Sequence, residues 1–475
     1  MKYTTTRKLL TSTALVSLTF AATAQTPSAD ALINKLVQKG VLTEKEGKEL
    51  LVEDISTNQP SASKWRISNA IKDIGLFGDV RFRYEYRAAD NAPGSGSTKD
   101  DYTRERFRYA LRVGIKGDLF DDFYYGLRVE TSSNPRSPWI TFGDDSSPTP
   151  FAKNSDGLNL GQAYLGWRPT DWYEMTVGKM PNPLYVTAMV WDSDLNPEGA
   201  VEKFKLSLSP QVDLFANFGQ FIYQDTNPDT AFPSSDTFLL AWQVGASAKF
   251  TKDLSAKVAP VIYNYTGVGQ NNGLNNAYTG QGLNGINVGA ATLNSAQFNQ
   301  TGINDLLVLE VPAELNYKVG KYGARLFGDF AYNFYGDDRA RAAATAAGPA
   351  ILPHAFTGHN KAYQAGVAFG NLGLVYGQTS KKNTWEARAY FQHIEQYALD
   401  VNMIDSDFFE GRANLEGVYS AFAYSFTDSI IGTVRYGYAN RIDKELGTGG
   451  VNPDIPVLNP IKNYHLVQLD LTWRF

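Results

Sequence analysis

The stretch VRFRYEYR, Val80 to Arg87, decides the fold. A β-strand places successive side chains on opposite faces, so this stretch predicts a strand with one apolar face and one ionic face. The polar face suits either the surface of a soluble sandwich or the wall of a water-filled lumen in a closed barrel. The two alternating sets are Val80, Phe82, Tyr84 and Tyr86 against Arg81, Arg83, Glu85 and Arg87.

The same period of two recurs from about residue 75 to the C-terminus. It is clear in RERFRYALRVGIKG (104–117), FYYGLRVE (123–130) and HLVQLDLTWRF (465–475). About sixteen such segments follow one another, each roughly 9–14 residues long, the length of a tilted strand that crosses a bilayer. The pattern therefore predicts an all-β chain whose strands are long enough to span a membrane.

The connections between these segments alternate between short and long. PTDW (169–172) and TKD (251–253) are short, whereas 181–200 and 397–411 are long. An up-and-down barrel in an outer membrane has short periplasmic turns and long extracellular loops, and a soluble β-sandwich or β-helix has no reason to sort its loops. We therefore expect residues 75–475 to form a transmembrane antiparallel β-barrel of about sixteen strands, an even number that leaves both termini in the periplasm.

The N-terminus has the features of a secretory signal peptide, predicted over residues 1–24. Lys2, Arg7 and Lys8 precede the apolar stretch LLTSTALVSLTFAATA, which ends in the A-x-A site at Ala22–Ala24. A membrane anchor is the alternative, but the apolar core is too short and too rich in threonine and serine. Removal of three basic and no acidic residues would change the net charge from −5 to −8.

Residues 25–58 are predicted to form a periplasmic helical hairpin. SADALINKLVQK (28–39) is amphipathic and ends before Gly40, and Thr43 with Glu46 forms a capping box for a second helix. A polar linker, 59–74, follows. The hairpin could trimerise, contact peptidoglycan or lie under the barrel mouth, or it could pack on itself and on the barrel rim.

Composition argues against several classes of function. The chain has no cysteine, so disulfide scaffolds, c-type haem attachment and thiolate metal sites are excluded. A mildly negative net charge gives no reason to expect nucleic acid, and no pattern calls for a cofactor or a metal ion. A hydrolase is the main enzymatic alternative, but only four histidines occur and no Gly-x-Ser-x-Gly motif is present, so we expect no enzyme.

At this point the chain resembles a known family. LVQLDLTWRF (466–475) is similar to the last strand of outer-membrane porins, whose terminal Phe, here Phe475, is read by the barrel-assembly machinery. Two segments, DALINKLVQKGVLTEKEGKELL (30–51) and VWDSDLNPEGA (190–200), resemble the bacterial family labelled "putative porin". The resemblance to this family covers nearly the whole mature chain. The resemblance implies passive diffusion of small hydrophilic solutes and ions across the outer membrane, usually through a homotrimer embedded in lipid.

The third long loop of porins commonly folds into the lumen, which here implicates residues 179–200. Opposed acids and bases across a narrow gap set the ion preference of a pore. Alternatively, the arginines pair with acids inside the wall, such as Glu85, Glu105, Glu130 and Asp118, and the aspartates cap a turn. The predicted constriction comprises the loop acids Asp192, Asp194 and Glu198 and the facing wall of Arg81, Arg83, Arg106, Arg108, Arg112 and Arg128.

The inward-facing charges suggest a weak anion preference, because the first three strands carry more arginine and lysine than acid. Later strands place acids inward. A structural tether or an adhesin is the alternative function, but about eight strands already suffice for an anchor, so the predicted width favours a channel. The inward acids of the later strands are Glu310, Glu314, Asp329, Glu386 and Asp470.

Overall fold

The computed structural model describes most of the region that was predicted to be a barrel. The predicted signal peptide, the helical hairpin apart from Lys39, and most of the linker lie outside the described residues. Residues from Ala70 onward form one compact unit. The described residues are 39, 68, 70–92, 100–132, 136–143, 157–225, 236–266, 302–347, 356–371, 381–448 and 460–475.

The described chain consists of β-strands and one helix, α1 (Gly336–Ala347). The strands are β1 (Gly75–Asn91), β2 (Asp101–Asp118), β3 (Phe123–Ser132), β4 (Ile140–Thr141), β5 (Gly157–Thr170), β6 (Tyr173–Lys179), β7 (Glu198–Ser209), β8 (Val212–Gln224), β9 (Thr237–Lys249), β10 (Leu254–Val258), β11 (Val261–Thr266), β12 (Leu307–Glu310), β13 (Ala313–Val319), β14 (Tyr322–Asn333), β15 (Lys361–Gly370), β16 (Trp385–Ile394), β17 (Leu415–Ser425), β18 (Ile430–Arg441) and β19 (Ile461–Arg474).

The strands form one closed antiparallel sheet. β1 pairs with β2 on one side and with the last strand, β19, on the other, so Arg83 lies opposite both Arg108 and Asp470. β10 continues into β11 and β12 into β13, and β4 adds only a two-residue pairing beside β2. The result is a sixteen-stranded up-and-down barrel, which confirms the predicted fold class and excludes a sandwich.

Two prolines interrupt neighbouring strands at the same height. Pro260 separates β10 from β11, and Pro312 separates β12 from β13, because proline has no amide hydrogen for the ladder. The register is nevertheless unchanged, since Val258 pairs with Ala313 below the break and Val261 pairs with Glu310 above it. The two gaps therefore coincide, and the Ala259 amide still donates to the Pro312 carbonyl at 3.1 Å.

The outer face of the barrel is apolar and the inner face is polar. Phe82, Phe107 and Leu471 are 49%, 63% and 47% exposed, whereas the alternating Arg83 and Asp470 are buried. This arrangement is the reverse of a soluble protein and suits a wall between lipid and an aqueous interior.

The aromatic girdles of a membrane barrel predict tryptophans near strand ends or on the apolar outer face, and two tryptophans differ from this prediction. Trp167 and Trp172 are indeed exposed beside a short turn, but Trp139 and Trp191 are 3% and 5% exposed and pack inside the barrel.

The C-terminus closes the barrel against β1. The Gly78 amide donates to the Phe475 carbonyl at 2.9 Å, and the Phe475 amide donates back to Gly78 at 3.1 Å. A Cβ at position 78 would lie 2.6 Å from the Phe475 ring, so glycine is required for the ring to lie over this strand.

Helix α1 lies in the long connection between β14 and β15 and was not predicted. Its sequence, GDDRARAAATAA, carries Asp337 and Asp338 in the first turn and is rich in alanine, which together favour a helix. Among the described residues, no helix is long and apolar enough to cross a membrane.

Candidate functional site

The centre of the basic wall is Glu85 on β1, whose side chain is fully buried. Its carboxylate accepts a hydrogen bond from Arg106 at 2.6 Å. Arg87 lies 3.1 Å away, Arg108 3.7 Å and Arg83 3.8 Å. Three of the arginines predicted for the wall, Arg83, Arg106 and Arg108, therefore share one buried acid of the same wall with Arg87, which was not in the predicted set.

A second cluster joins the wall to the third long loop. Arg112 on β2 contacts Asp194 of the loop at 2.5 Å and Glu130 of β3 at 3.1 Å. Arg128 also pairs with Glu130, at 2.9 Å. Asp194 is thus the loop acid that meets the predicted basic wall.

The chain segment 180–197 crosses the barrel interior. The Tyr185 amide donates to Gln243 of β9 at 2.9 Å, and the Tyr185 hydroxyl donates to Glu314 of β13 at 2.7 Å. Near the other end of the same segment, Asp194 forms an ion pair with Arg112 of β2. Because β2 lies several strands away from β9 and β13 around the barrel, the segment connects separate parts of the wall.

Trp191 anchors segment 180–197 to the wall. Its ring lies 6.0 Å from that of Phe221 on β8 and 6.3 Å from that of Tyr263 on β11. The indole nitrogen donates to the Leu195 carbonyl at 3.1 Å, so the buried polar atom is satisfied.

A second connection, 395–414 between β16 and β17, also folds into the barrel. We predicted residues 397–411 as an ordinary outer loop. Asp400 instead accepts hydrogen bonds from Tyr223 and Tyr265 at 2.8 and 2.9 Å, on the inner faces of β8 and β11. A cluster of apolar residues in a connection is the signal that could have revealed this burial: Leu399, Val401, Met403, Ile404, Phe408 and Phe409.

Phe408 packs segment 395–414 against the wall. Its ring lies 5.3 Å from Tyr419 and 6.0 Å from Tyr390. A Cβ at Gly437 of β18 would lie 2.7 Å from the Phe408 ring, so a larger residue there would displace the segment.

The two segments bind each other inside the lumen. The Ser406 amide and hydroxyl donate to the Asp192 carboxylate at 3.1 and 3.0 Å. The Asp192 amide donates to the Met403 carbonyl at 2.6 Å, and the Asp405 amide donates to the Ala188 carbonyl at 3.1 Å. Segments 180–197 and 395–414 therefore form a single obstruction.

The carboxyls at this contact have raised pKa values. Burial raises the pKa of Asp192 well above its usual range, and the neighbouring Asp194 and Asp405 add to the effect, while Arg136 opposes it. Burial and the nearby Asp407 raise the pKa of Asp405 to about 6. Both carboxyls thus bind protons more tightly when the two segments are in contact.

We expect the contact between the segments to weaken as the pH rises from about 4, the pKa of a free aspartate, to about 6, the raised pKa of Asp405, because ionisation places like charges in a buried site. Because the pKa values of Asp192 and Asp405 are raised, the contact favours their protonated forms and is strongest at acid pH. The contact weakens as the pH rises towards these raised pKa values. Conductance measured across this range should increase with pH. Asp405→Asn should flatten the dependence, and an unchanged pH profile in that variant would contradict this account.

Two predicted acids do not face the basic wall. Glu198 pairs with Lys179 at 2.8 Å, and its side chain is 59% exposed. Asp192 is 2% exposed and binds Ser406 rather than an arginine.

Arg81, one of the arginines predicted for the wall, pairs with Asp79 of its own strand, at 2.5 Å.

A cavity of about 520 Å³ lies between the two segments and the wall. Among the described residues, no group of three or more histidines, aspartates or glutamates is placed to hold a metal ion. The lining of the cavity is rich in charged side chains. Its charged lining residues include Arg81, Arg83, Arg388, Arg435, Asp407 and Asp470.

Comparison with known proteins gives one family match. A family model described as "Putative porin" matches residues 88–314 and 304–475. No curated protein sequence matches the chain.

Three solved structures that are similar to the chain have low sequence identity to it. An anion-selective porin from Comamonas acidovorans is 11% identical with a TM-score of 0.43, covering 85% of this chain and 99% of that chain. Salmonella typhi OmpF in complex with daunomycin is 9% identical with a TM-score of 0.45, covering 86% and 100%. The trimer form of OmpT from Vibrio cholerae is 12% identical with a TM-score of 0.39, covering 85% and 99%. At these scores, none of the three bears on which solutes this chain passes.

Proposed function

Because this chain belongs to the "Putative porin" family of outer-membrane channels, we propose that it passes small hydrophilic solutes and ions by passive diffusion. The lumen is narrowed by loop 179–200, which lies opposite the arginine-rich wall. The observation that carries this proposal is the contact between Asp194 and Arg112, 2.5 Å apart, which places a loop acid against the wall.

The charge of this wall supports a preference for anions at the constriction. Among the described residues, the ion pairs around Glu85 contain more arginines than acids: Arg83, Arg87, Arg106, Arg108, Arg412 and Arg435 against Glu85, Asp407, Glu410 and Asp470. The low-dielectric barrel wall strengthens the field that an ion meets in the narrow lumen. Rings of fixed charge of this kind set ion preference in channels.

The surroundings of the barrel are part of the proposal. We place the long connections outside the cell and the N-terminal hairpin in the periplasm, where peptidoglycan is a candidate contact. A homotrimer is proposed, and native mass spectrometry of the purified protein in detergent would reveal any other state. Phe475 is proposed as the signal for the barrel-assembly machinery, and its deletion should lower the yield of folded barrel in outer membranes.

The test is the reversal potential of the purified protein in a planar bilayer under a salt gradient. Asp194→Asn should shift the permeability ratio towards anions by about sevenfold, because one unit charge about 7 Å from the ion path in water changes the energies of an anion and a cation by about RT each, in opposite directions. Arg112→Gln should shift the ratio in the opposite direction. Glu198→Gln, an exposed acid of the same loop, is the matched control and should leave the ratio unchanged.

The outcomes separate the function from the constriction. If Asp194→Asn and Arg112→Gln both show the ion preference of the unmodified protein, the diffusion function would stand. Loop 179–200 would then not be the constriction. Absence of channels in the unmodified protein would remove the transport function and favour a structural tether or an adhesin.

A further inference from the structure

We propose that Asp407, on the second inward segment, is a specificity-determining residue of the pore. Its carboxylate neutralises Arg83 and Arg87 and so limits the anion preference of the wall. This inference rests on the proposed diffusion function, and it assigns part of the selectivity to segment 395–414, outside the third loop.

The geometry fixes Asp407 on the arginines of β1. The Arg83 Nη1 atom lies 2.8 Å from Asp407 Oδ1, and Arg87 Nη2 lies 3.6 Å from the same oxygen. The side-chain amide of Gln468 on β19 donates a hydrogen bond to the same oxygen at 3.0 Å. Although burial opposes ionisation, Arg83 and Arg87 lower the pKa of Asp407 well below its usual range, so the carboxylate stays charged.

Exposure singles out Asp407 within this cluster. Its side chain is 30% exposed, compared with 3% for Arg83, 1% for Arg87 and 4% for Asp470. Asp407 also lines the cavity beside the two segments. A permeating ion therefore meets the carboxylate of Asp407 before it meets the buried groups behind it.

Charge balance gives the expected direction. Among the described residues, the ion pairs of this cluster join six arginines to four acids, so the cluster is net positive even with Asp407 present. Removal of the Asp407 charge adds one positive charge at the cavity surface, where counter-ions are selected. The members are Arg83, Arg87, Arg106, Arg108, Arg412 and Arg435 with Glu85, Asp407, Glu410 and Asp470.

Asp407 acts separately from Asp194. Asp194 comes from segment 180–197 and binds Arg112, whereas Asp407 comes from segment 395–414 and binds Arg83 and Arg87. The two acids share no arginine in these contacts.

The test uses the full-length protein in a planar bilayer under a salt gradient. Asp407→Asn should move the permeability ratio towards anions by about sevenfold, the combined and opposite effects of one unit charge about 7 Å from the ion path on an anion and on a cation. Asp407→Glu should restore the original ratio, which a packing role alone would not predict. Glu445→Gln, an exposed acid of the next long connection, should leave the ratio unchanged.

A second variant avoids the question of folding. The chain has no cysteine, so Asp407→Cys can be modified in channels that are already conducting. A thiol reagent that adds a sulfonate should shift the ratio towards cations, and one that adds a quaternary ammonium should shift it towards anions.

Opposite shifts with the two reagents would support the assignment. Equal loss of conductance with both reagents and no change in ratio would overturn it, since the segment would then act only as a steric obstacle. An unchanged ratio in Asp407→Asn would also overturn it while leaving the diffusion function intact. Absence of channels in the unmodified protein would count instead against the proposed function itself.

Discussion

Replacement of Glu85 by alanine should lower the free energy of unfolding of the barrel by about 3–5 kcal/mol, the cost of removing one partner from a buried ion pair. Glu85 is fully buried and lies within 3.8 Å of Arg83, Arg87, Arg106 and Arg108. Without it, four guanidinium groups remain close together in the wall. Urea unfolding in lipid vesicles, followed by tryptophan fluorescence, measures the change.

The matched control for this variant is Glu105→Ala on the facing strand. Glu105 lies on the outer side of β2 near its end, is exposed, and contacts only the Tyr84 hydroxyl at 3.4 Å among the hydrogen bonds of the described residues. We expect a change within about 0.5 kcal/mol, as for most surface substitutions. Equal destabilisation by the two variants would show that the basic wall does not depend on Glu85.

Replacement of Trp191 by alanine should release segment 180–197 from the wall. Truncation of a buried tryptophan costs about 3–5 kcal/mol, and here the loss falls on one segment rather than on the strands. Phe221 and Tyr263 lose their ring partner, and the hydrogen bond to Leu195 is removed. Single-channel recordings should show a larger and noisier conductance.

Trp242→Ala is the control for the same residue type. Trp242 faces outward from β9 and is 42% exposed, so its loss removes no contact in the lumen. Conductance should therefore stay at the level of the unmodified channel. A quiet, unchanged conductance in Trp191→Ala would mean that the hydrogen bonds of Tyr185 and the ion pair of Asp194 hold the segment without the tryptophan.

The barrel wall could be predicted from the sequence because its period is local. Each strand shows which face it buries in about eight residues, as Val80–Arg87 does, and neighbouring strands repeat the pattern. That alternation predicts that the side chains of Arg83, Arg108 and Asp470 face the barrel interior. In the structure these side chains are buried there.

The loop contacts could not be predicted in the same way. Asp192 and Asp194 are two residues apart in a turn-forming stretch, yet one binds Ser406 and the other binds Arg112. The choice depends on where segment 395–414 lies, and no periodicity encodes that position. The one local signal was the apolar content of residues 399–409, which indicates burial but not the partner.

The coincident prolines bear on how the barrel avoids strand slippage. Alternating strands are nearly self-similar, since a shift of two residues keeps every polar side chain facing inward. In the native register, Pro312 lies opposite Ala259, and the Ala259 carbonyl, which receives no amide hydrogen from Pro312, accepts a hydrogen bond from the Gln243 side chain at 3.2 Å. A register shifted by two residues would place Pro312 opposite a different carbonyl, which would lose this side-chain donor in a wall facing lipid, at several kcal/mol. Pro312 and Gln243 together therefore disfavour a slipped pairing of these two strands during membrane insertion.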